Sequence, residues 1–347
     1  MLAGAKYSIA RLTGIPWLTN QLNRRHLLVL SYHGIHDCSH PQHALPQTFV
    51  SVTDLAQQLQ AVRHRYHIID AHALRASLSD GKILPPQSAL ITFDDGYESF
   101  WRLAQPVLES MSIRAVVFVS TRFVEENAPF WFDLAWYLVM TCESGRATDL
   151  AVDLGLKDSR GERKTLAMQA LGALKTMTPT KRDVIIKRMI ENRDAKTHSS
   201  EKSLQLFLPM TKDQIRTLSA RGVSFGGHTH SHTILSVLPQ DQAEAEIVLN
   251  KKVLESITEK PCDFFAYPNG GPGDYHDVHK KLLKIHGFTA AFTLEQGRTH
   301  PRKDPMAISR LNVAPEDTSE SLLFRCSGIT PIQNRFRSVL SISSRPS

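Results

Sequence analysis

What the sequence lacks narrows it first. Its 347 residues include only four cysteines, Cys38, Cys142, Cys262 and Cys326, and no two form a CxxC pair. That excludes a cysteine-based zinc site and a disulfide-built scaffold, and it fits a reducing compartment. No stretch approaches the roughly 18 consecutive apolar residues of a membrane span. The opening MLAGAKYSIARLTGIPWLTNQLNRRH has no continuous apolar run long enough for a secretory signal. The expected location is therefore cytoplasmic, or peripheral at a membrane. Acid is also missing early: no Asp or Glu precedes Asp37, against Lys6, Arg11, Arg24 and Arg25.

What is present is an ordinary globular composition, 41% hydrophobic and 22% charged, which excludes a mainly disordered chain. The net charge is +7, and it is unevenly spread: residues 1–36 carry +4 and residues 144–205 carry +5, so the remainder is slightly acidic. No nucleic-acid-binding motif accompanies the basic excess, so nucleic acid is not an expected partner. The basic segments suit an anionic membrane surface or an acidic glycan instead. In the leader, Leu2, Tyr7, Ile9, Ala10 and Leu12 fit one side of a helix lying on a membrane. They fit a packing helix or a loose leader at least as well.

Strand-like and helix-like segments alternate. HLLVLSY (26–32), HIID, SALITF (88–93), RAVVFVS (114–120), VSFGG, DFFAYP, FTAAFTL and MAISRLNV read as strands. Helices are predicted from a cap at Ser51 and Asp54, around Ala71–Leu78, from Glu98 to Met111, from a cap at Thr211 with Gln214, at 240–258 and near 276–285. The alternation implies a parallel sheet. Residues 121–210 interrupt it with two helix-like segments and an aromatic patch, Phe130, Trp131, Phe132, Trp136 and Tyr137. The patch is read as an anchor for an insertion, with Trp131 the residue best suited to stack on a sugar ring.

Three segments carry chemistry. Ile91-Thr92-Phe93-Asp94-Asp95-Gly96-Tyr97 ends a buried strand in two carboxylates and a glycine. Strand ends of this kind bind ligands in α/β folds, and the glycine allows a sharp turn that gives the two carboxylates different jobs. Gly226-Gly227-His228-Thr229-His230-Ser231-His232 places His228 and His232 four apart, which on a helical turn brings both rings to one side. Mixed Asp and His ligands with an open position make a hydrolytic metal site rather than a structural one. Phe265-Ala266-Tyr267-Pro268-Asn269-Gly270 follows as the third, and a cluster of His33, His36, His40 and His43 lies near the start.

In this order the motifs resemble the polysaccharide deacetylases of the NodB type, carbohydrate esterase family four, from about Leu27 to Val313. Ser31-Tyr32-His33, Leu84-Pro85-Pro86 and Gly287-Phe288 add to the likeness, which is greatest to the branch acting on exopolysaccharides such as poly-N-acetylglucosamine. The resemblance implies a distorted (β/α)7-type barrel with a mostly helical insertion at about 121–210. The expected layout is a basic leader at 1–25, the deacetylase domain at 26–324 and a disordered tail at 325–347.

The resemblance also implies that Asp94 is the general base and that Asp95, His228 and His232 hold a divalent metal, usually zinc. It places Tyr267, Pro268 and Asn269 beside the substrate, with the Asn269 backbone amide as an oxyanion donor. Tyr97, and Tyr275 beyond it, are candidates to line the sugar site. The sequence departs from the family twice. Ala266 stands where most members have a base-orienting arginine, and Arg310 is the candidate substitute. The usual late histidine motif is also absent; His300 is the only histidine in that stretch, and His33 is the candidate proton donor. His33 as a packing residue at a strand end remains the alternative.

The expected activity is metal-dependent removal of N-acetyl groups from N-acetylhexosamine units of a cell-surface or extracellular polysaccharide. A deacetylase of lipid-linked or small sugar precursors, and a catalytically weak glycan-binding protein of the same fold, are the alternatives. An N-acetylated glycan is the expected partner, with peripheral membrane contact through the basic appendages.

Overall fold

Strands that are covered on both faces read as apolar runs, and this chain builds its centre from such strands. The structure is a computed structural model that describes residues 15–37, 48–142, 154, 162–175, 177, 179–191 and 205–328. Helix α1 (Ile15–Leu22) precedes β1 (Leu28–Tyr32), β2 (Gly34–His36) and β3 (Phe49–Ser51). Then come α2 (Val52–Arg63), β4 (His67–Ile69), α3 (Ala71–Ser79) and β5 (Ser88–Phe93). A π-helical turn (Phe100–Ala104) runs into α4 (Gln105–Ser110) and β6 (Val116–Val119). Helices α5 (Thr121–Glu126), α6 (Trp131–Thr141), α7 (Arg163–Lys175) and α8 (Pro179–Glu191) separate β6 from α9 (Lys212–Ala220) and β7 (Ser224–Gly227). The chain closes with α10 (Gln240–Thr258), β8 (Phe264–Ala266), α11 (Asp277–Ile285), β9 (Ala290–Phe292), β10 (Leu311–Asn312) and α12 (Ser319–Cys326).

The strands run parallel in the order β10-β1-β5-β6-β7-β8-β9, with β4 pairing beside β5. Both ends of this path meet in one segment: Ile308 bridges Phe292 of β9, while Leu311 pairs with Leu30 of β1. The sheet therefore curls into a small barrel. This explains why MAISRLNV, expected as a full strand, gives only a two-residue ladder. The segment crosses a seam and belongs to a different neighbour at each end.

The period of two sorts side chains into two cores. Leu28, Leu30, Ile91, Phe93, Val117 and Val119 face the surrounding helices, meeting Leu55 and Leu59 of α2 and Ile247 and Leu254 of α10. Val29, Leu90, Val116, Phe118, Ala266 and Phe292 fill the barrel, together with Leu74 of α3. Following the inward parity toward the strand ends, the residues turn polar: Ser31 and His33, Thr92 and Asp94, His228, and Arg310. One register thus places apolar side chains at the bottom of the barrel and chemistry at its top.

The helices have the caps expected of them. The Ser51 hydroxyl accepts from the Asp54 N–H at the start of α2, and Thr211 with Gln214 forms a reciprocal capping box on α9. Helix α1 is tied down through Asn20, whose side-chain oxygen accepts from Tyr66 and Arg298. The leader positions from Leu2 to Leu12 lie outside the described residues. At the other end α12 continues to Cys326, which is buried, and Arg325 pairs with Asp317. Among the described residues no helix is long and apolar enough to cross a membrane.

Helices α6, α7 and α8 have a core of their own, where Trp136 and Val139 of α6 pack on Ala167, Ala170 and Leu174 of α7. Phe123, Phe130 and Tyr137 join this layer to Phe49, Tyr97 and Phe207. Tyr97 donates to Asp133 Oδ2 at 2.6 Å inside this cluster. Burial pushes the Asp133 carboxyl well above its ordinary range, the Tyr97 hydrogen bond opposing and the Asp95 charge adding. Phe130, Trp136 and Tyr137 are therefore anchors.

Candidate active site

The turn after β5 separates the two aspartates. The Asp94 N–H still donates to the Tyr32 carbonyl at 2.9 Å, extending the ladder by one residue. Asp95 then takes a φ of 77° and Gly96 a φ of 86°, so the chain leaves the sheet at once. Gly96 also lies against Val119, whose Cγ1 would sit 3.1 Å from a Cβ added there. As a result Asp94 turns into the barrel and Asp95 toward the end of β7.

Asp95, His228 and His232 come together: one ligand atom from each lies within 4.8 Å of the others. The Nε2 atoms of His228 and His232 stand 3.5 and 3.2 Å from Asp95 Oδ1. The spacing of four works differently from the helical turn expected from sequence. Residues 228–232 form a loop in which Thr229 and His232 adopt left-handed φ values of 56° and 55°. Such values are uncommon away from glycine, above all for a β-branched residue such as Thr229, and they cluster at functional sites.

The donor set fits a divalent cation. His228 Nδ1 lies 2.7 Å from the Ala266 carbonyl, which can only accept, so this nitrogen carries a proton and Nε2 is the atom turned toward Asp95. Asp95 Oδ1 is buried and has no hydrogen-bond partner. Burial works against charge on Asp95, yet the two imidazoles hold its carboxyl well below the usual range. Burial holds His232 below an ordinary histidine, while Asp95 and Asp94 pull His228 upward against burial. Two Nε2 atoms converging on a buried carboxylate oxygen that lacks a hydrogen-bond partner make a donor set suited to a metal ion.

Asp94 is held by Arg310. The guanidinium is fully buried and donates from Nη1 to Oδ1 at 2.6 Å and from Nη2 to Oδ2 at 2.7 Å. Its Nε donates to the Thr293 carbonyl at 3.1 Å, which fixes the fork. Burial by itself would raise Asp94; Arg310, followed by His228 and His33, turns the shift downward. His33 Nε2 is 3.9 Å from Asp94 Oδ2, and its Nδ1 is buried without a partner.

His300 lies elsewhere, edge-on to His26. His36 is buried in β2, and His40 and His43 lie outside the described residues.

A cavity of about 860 Å³ opens above these groups, lined by His33, Asp94, Asp95, His228, His232 and Asn269 among others. Asn269 adopts a φ of 60°, and its backbone N–H makes no hydrogen bond among the described residues. Pro268 is buried beside it. Tyr267 points away from the site: it has the outward parity of β8, stacks on Tyr275 at 4.2 Å and donates to the Met306 carbonyl. Tyr97 is committed to Asp133, so neither tyrosine lines the cavity.

Sequence reasoning missed Asn250. It is fully buried on α10; Oδ1 accepts from the His228 N–H at 3.1 Å, and Nδ2 donates to the Val119 and Thr229 carbonyls at 2.9 and 2.8 Å. One amide thus holds the ends of β6 and β7 and the ligand loop in register. A Cβ on Gly227 would come within 2.5 Å of Asn250 Oδ1, so the glycine is what admits it. The signal was available: Ala243, Ile247, Asn250, Leu254 and Ile257 form one buried stripe, and only one of them is polar. Asn250→Leu is expected to weaken metal binding by about 10–100-fold and to destabilise the fold by about 1–3 kcal/mol. A competitive metal titration and urea unfolding check this; wild-type metal affinity in the variant would remove Asn250 from the site.

A parallel barrel with an Asp-His-His cluster beside an arginine-clamped aspartate at its strand ends carries a donor set suited to a divalent metal ion. Residues 81–291 match the family model described as Polysaccharide deacetylase, and the chain belongs to that family. It is 31% identical over 104 residues to the poly-beta-1,6-N-acetyl-D-glucosamine N-deacetylase of Escherichia coli K12, a match covering 29% of this chain and 14% of that protein. It is 24% identical over 106 residues to YxkH of Bacillus subtilis, covering 30% and 37% of the two chains. These matches therefore span well under half of each relative.

Several solved structures share the fold. Streptococcus pyogenes deacetylase PplD, in complex with acetate, superposes with a TM-score of 0.57 at 18% identity, over 86% of this chain and 96% of that one. IcaB from Ammonifex degensii gives 0.55 at 19% identity, over 88% and 98%.

Proposed function

We propose that the protein is a metal-dependent N-deacetylase of N-acetylhexosamine units in a glycan. One observation carries the reading: Asp95 Oδ1, buried and without a hydrogen-bond partner, faces two histidine Nε2 atoms next to an Asp94 held ionised by Arg310. The E. coli relative, named for deacetylating poly-N-acetylglucosamine, supports the same substrate class.

Asp95, His228 and His232 would hold the cation, with zinc the expected ion. When bound, a divalent ion acidifies a water molecule and polarises a carbonyl oxygen. Asp94 accepts the proton of the attacking water, and Arg310 keeps it ionised until then. The free N–H of Asn269 donates to the oxyanion that forms on the acetyl carbon. His33, with a ring nitrogen unpartnered, donates a proton to the amine as the C–N bond breaks, and acetate leaves.

The purified protein should contain about one divalent ion per chain and release acetate from N-acetylglucosamine oligomers, and His228→Ala should lose both. Elemental analysis and an acetate assay measure this. A wild type that neither holds metal nor releases acetate when metal is supplied would overturn the reading.

A further inference from the structure

The cavity has two unlike ends. Its floor is the buried Asp and His cluster; the rest of its lining is largely aliphatic, including Met168 and Leu171 of α7 and Ile234, Val237 and Leu238. Met168 and Val237 are 56% and 65% exposed, so two large apolar side chains from different parts of the fold stand in solvent at one mouth. A sugar chain offers hydroxyls at every ring and gains little from such walls, because its polar groups would be desolvated without partners. Of the two aromatic rings in the lining besides the histidines, Phe132 packs on Phe130 and His232, and Trp131 carries a cation. The Arg182 guanidinium lies 4.4 Å from the centroid of the Trp131 ring.

Arg182 supplies the second observation. It lines the same cavity with Lys175, and its Nε is buried without a hydrogen-bond partner. Two cations in one cavity with a polar floor and apolar lining complement an anion that joins a sugar to a hydrocarbon chain.

We propose that the substrate is an N-acetylhexosamine joined through phosphate to an apolar chain. The sugar reaches the Asp94 and Asp95 floor, the phosphate meets Arg182 and Lys175, and the chain lies between Met168 and Val237. This rests on the deacetylase reading and names its substrate.

The test uses three probes: farnesyl phosphate-linked N-acetylglucosamine, N-acetylglucosamine 1-phosphate, and an N-acetylglucosamine oligomer. With metal-loaded protein, kcat/KM for the farnesyl probe is expected to exceed that for the sugar phosphate by about 100-fold. Calorimetry of the protein with the farnesyl probe gives a readout that needs no turnover. Met168→Glu combined with Val237→Glu should weaken that binding at least about tenfold, and Arg182→Gln by about tenfold. Ile285→Glu, an equally exposed apolar position outside the cavity, should leave it unchanged.

Acetate release from the oligomer with no gain from the farnesyl chain would overturn this proposal and leave the deacetylase reading standing. Binding of the farnesyl probe that is lost in the Met168 and Val237 double variant, without acetate release from any probe, would support the site and count against the reaction. Absence of saturable binding of the farnesyl probe would overturn the proposal outright.

Discussion

Asp94→Asn is expected to lower kcat/KM for acetate release by about 10²–10⁴, the range of positioned general acid–base groups, with metal content unchanged. Asp94 accepts two hydrogen bonds from Arg310 and one from Ser31 at 3.3 Å, and it contributes no atom to the Asp95, His228 and His232 cluster. Asparagine has nearly the same shape, so the fork of Arg310 keeps one acceptor and the cavity keeps its form. What is lost is the negative charge that takes a proton. Acetate release and elemental analysis on the same preparation check both halves. A variant with wild-type turnover would remove Asp94 as the base, and one that loses its metal would show that the two aspartates do not divide their labour as their separate directions imply.

That separation was half legible from sequence. Strand SALITF and helix 240–258 lie where the sequence places them, because a strand buried on both faces shows a nearly solid apolar run and the helix is long. The two aspartates and the glycine announced a turn. The sequence did not say that Asp95 itself would take a left-handed φ, since that conformation is set by the strand ends around it rather than by its own propensity. The loop 228–232 is the same case: its spacing suggested a helical turn, and two left-handed residues deliver the same pairing of rings.

Misplaced tyrosines show a different limit. Tyr267 sits one residue beyond Ala266 in a motif-bearing stretch, but the inward parity of β8 belongs to Phe264 and Ala266, so its ring faces the helices. Period-two counting could have found this. Tyr97 could not have been placed that way, because its partner Asp133 is 36 residues away in the helical layer. Arg310 was visible as a candidate by residue type alone. Its reach to Asp94, 216 positions away, depends on how the barrel closes at the seam around Ile308, and no local pattern encodes that closure.

Arg310→Met is accordingly the substitution expected to damage the protein most. Removing one partner of a buried, bidentate ion pair leaves the other charge without compensation and destabilises by about 3–5 kcal/mol. Asp94 lies below its ordinary value of 3.8 because Arg310, with His228 and His33, overcomes the effect of burial. In the wild type the pair therefore contributes stability that is present above pH 3.8 and lost as pH falls through the lower folded value. Without Arg310 burial is opposed only by His228 and His33, so the folded value rises and the variant draws less stability from an ionised Asp94 at neutral pH. The difference in unfolding free energy between wild type and variant should thus be largest near neutral pH and narrow on acidification. The acid limb of kcat/KM should move to higher pH, because the base is now protonated earlier. Arg310→Lys restores a charge without the fork, so it should recover part of the stability and little of the orientation. Urea unfolding across pH, paired with pH–rate profiles, measures both effects; a stability gap that stays constant from neutral to acid pH would show that Arg310 supports the barrel seam and not the ionised Asp94.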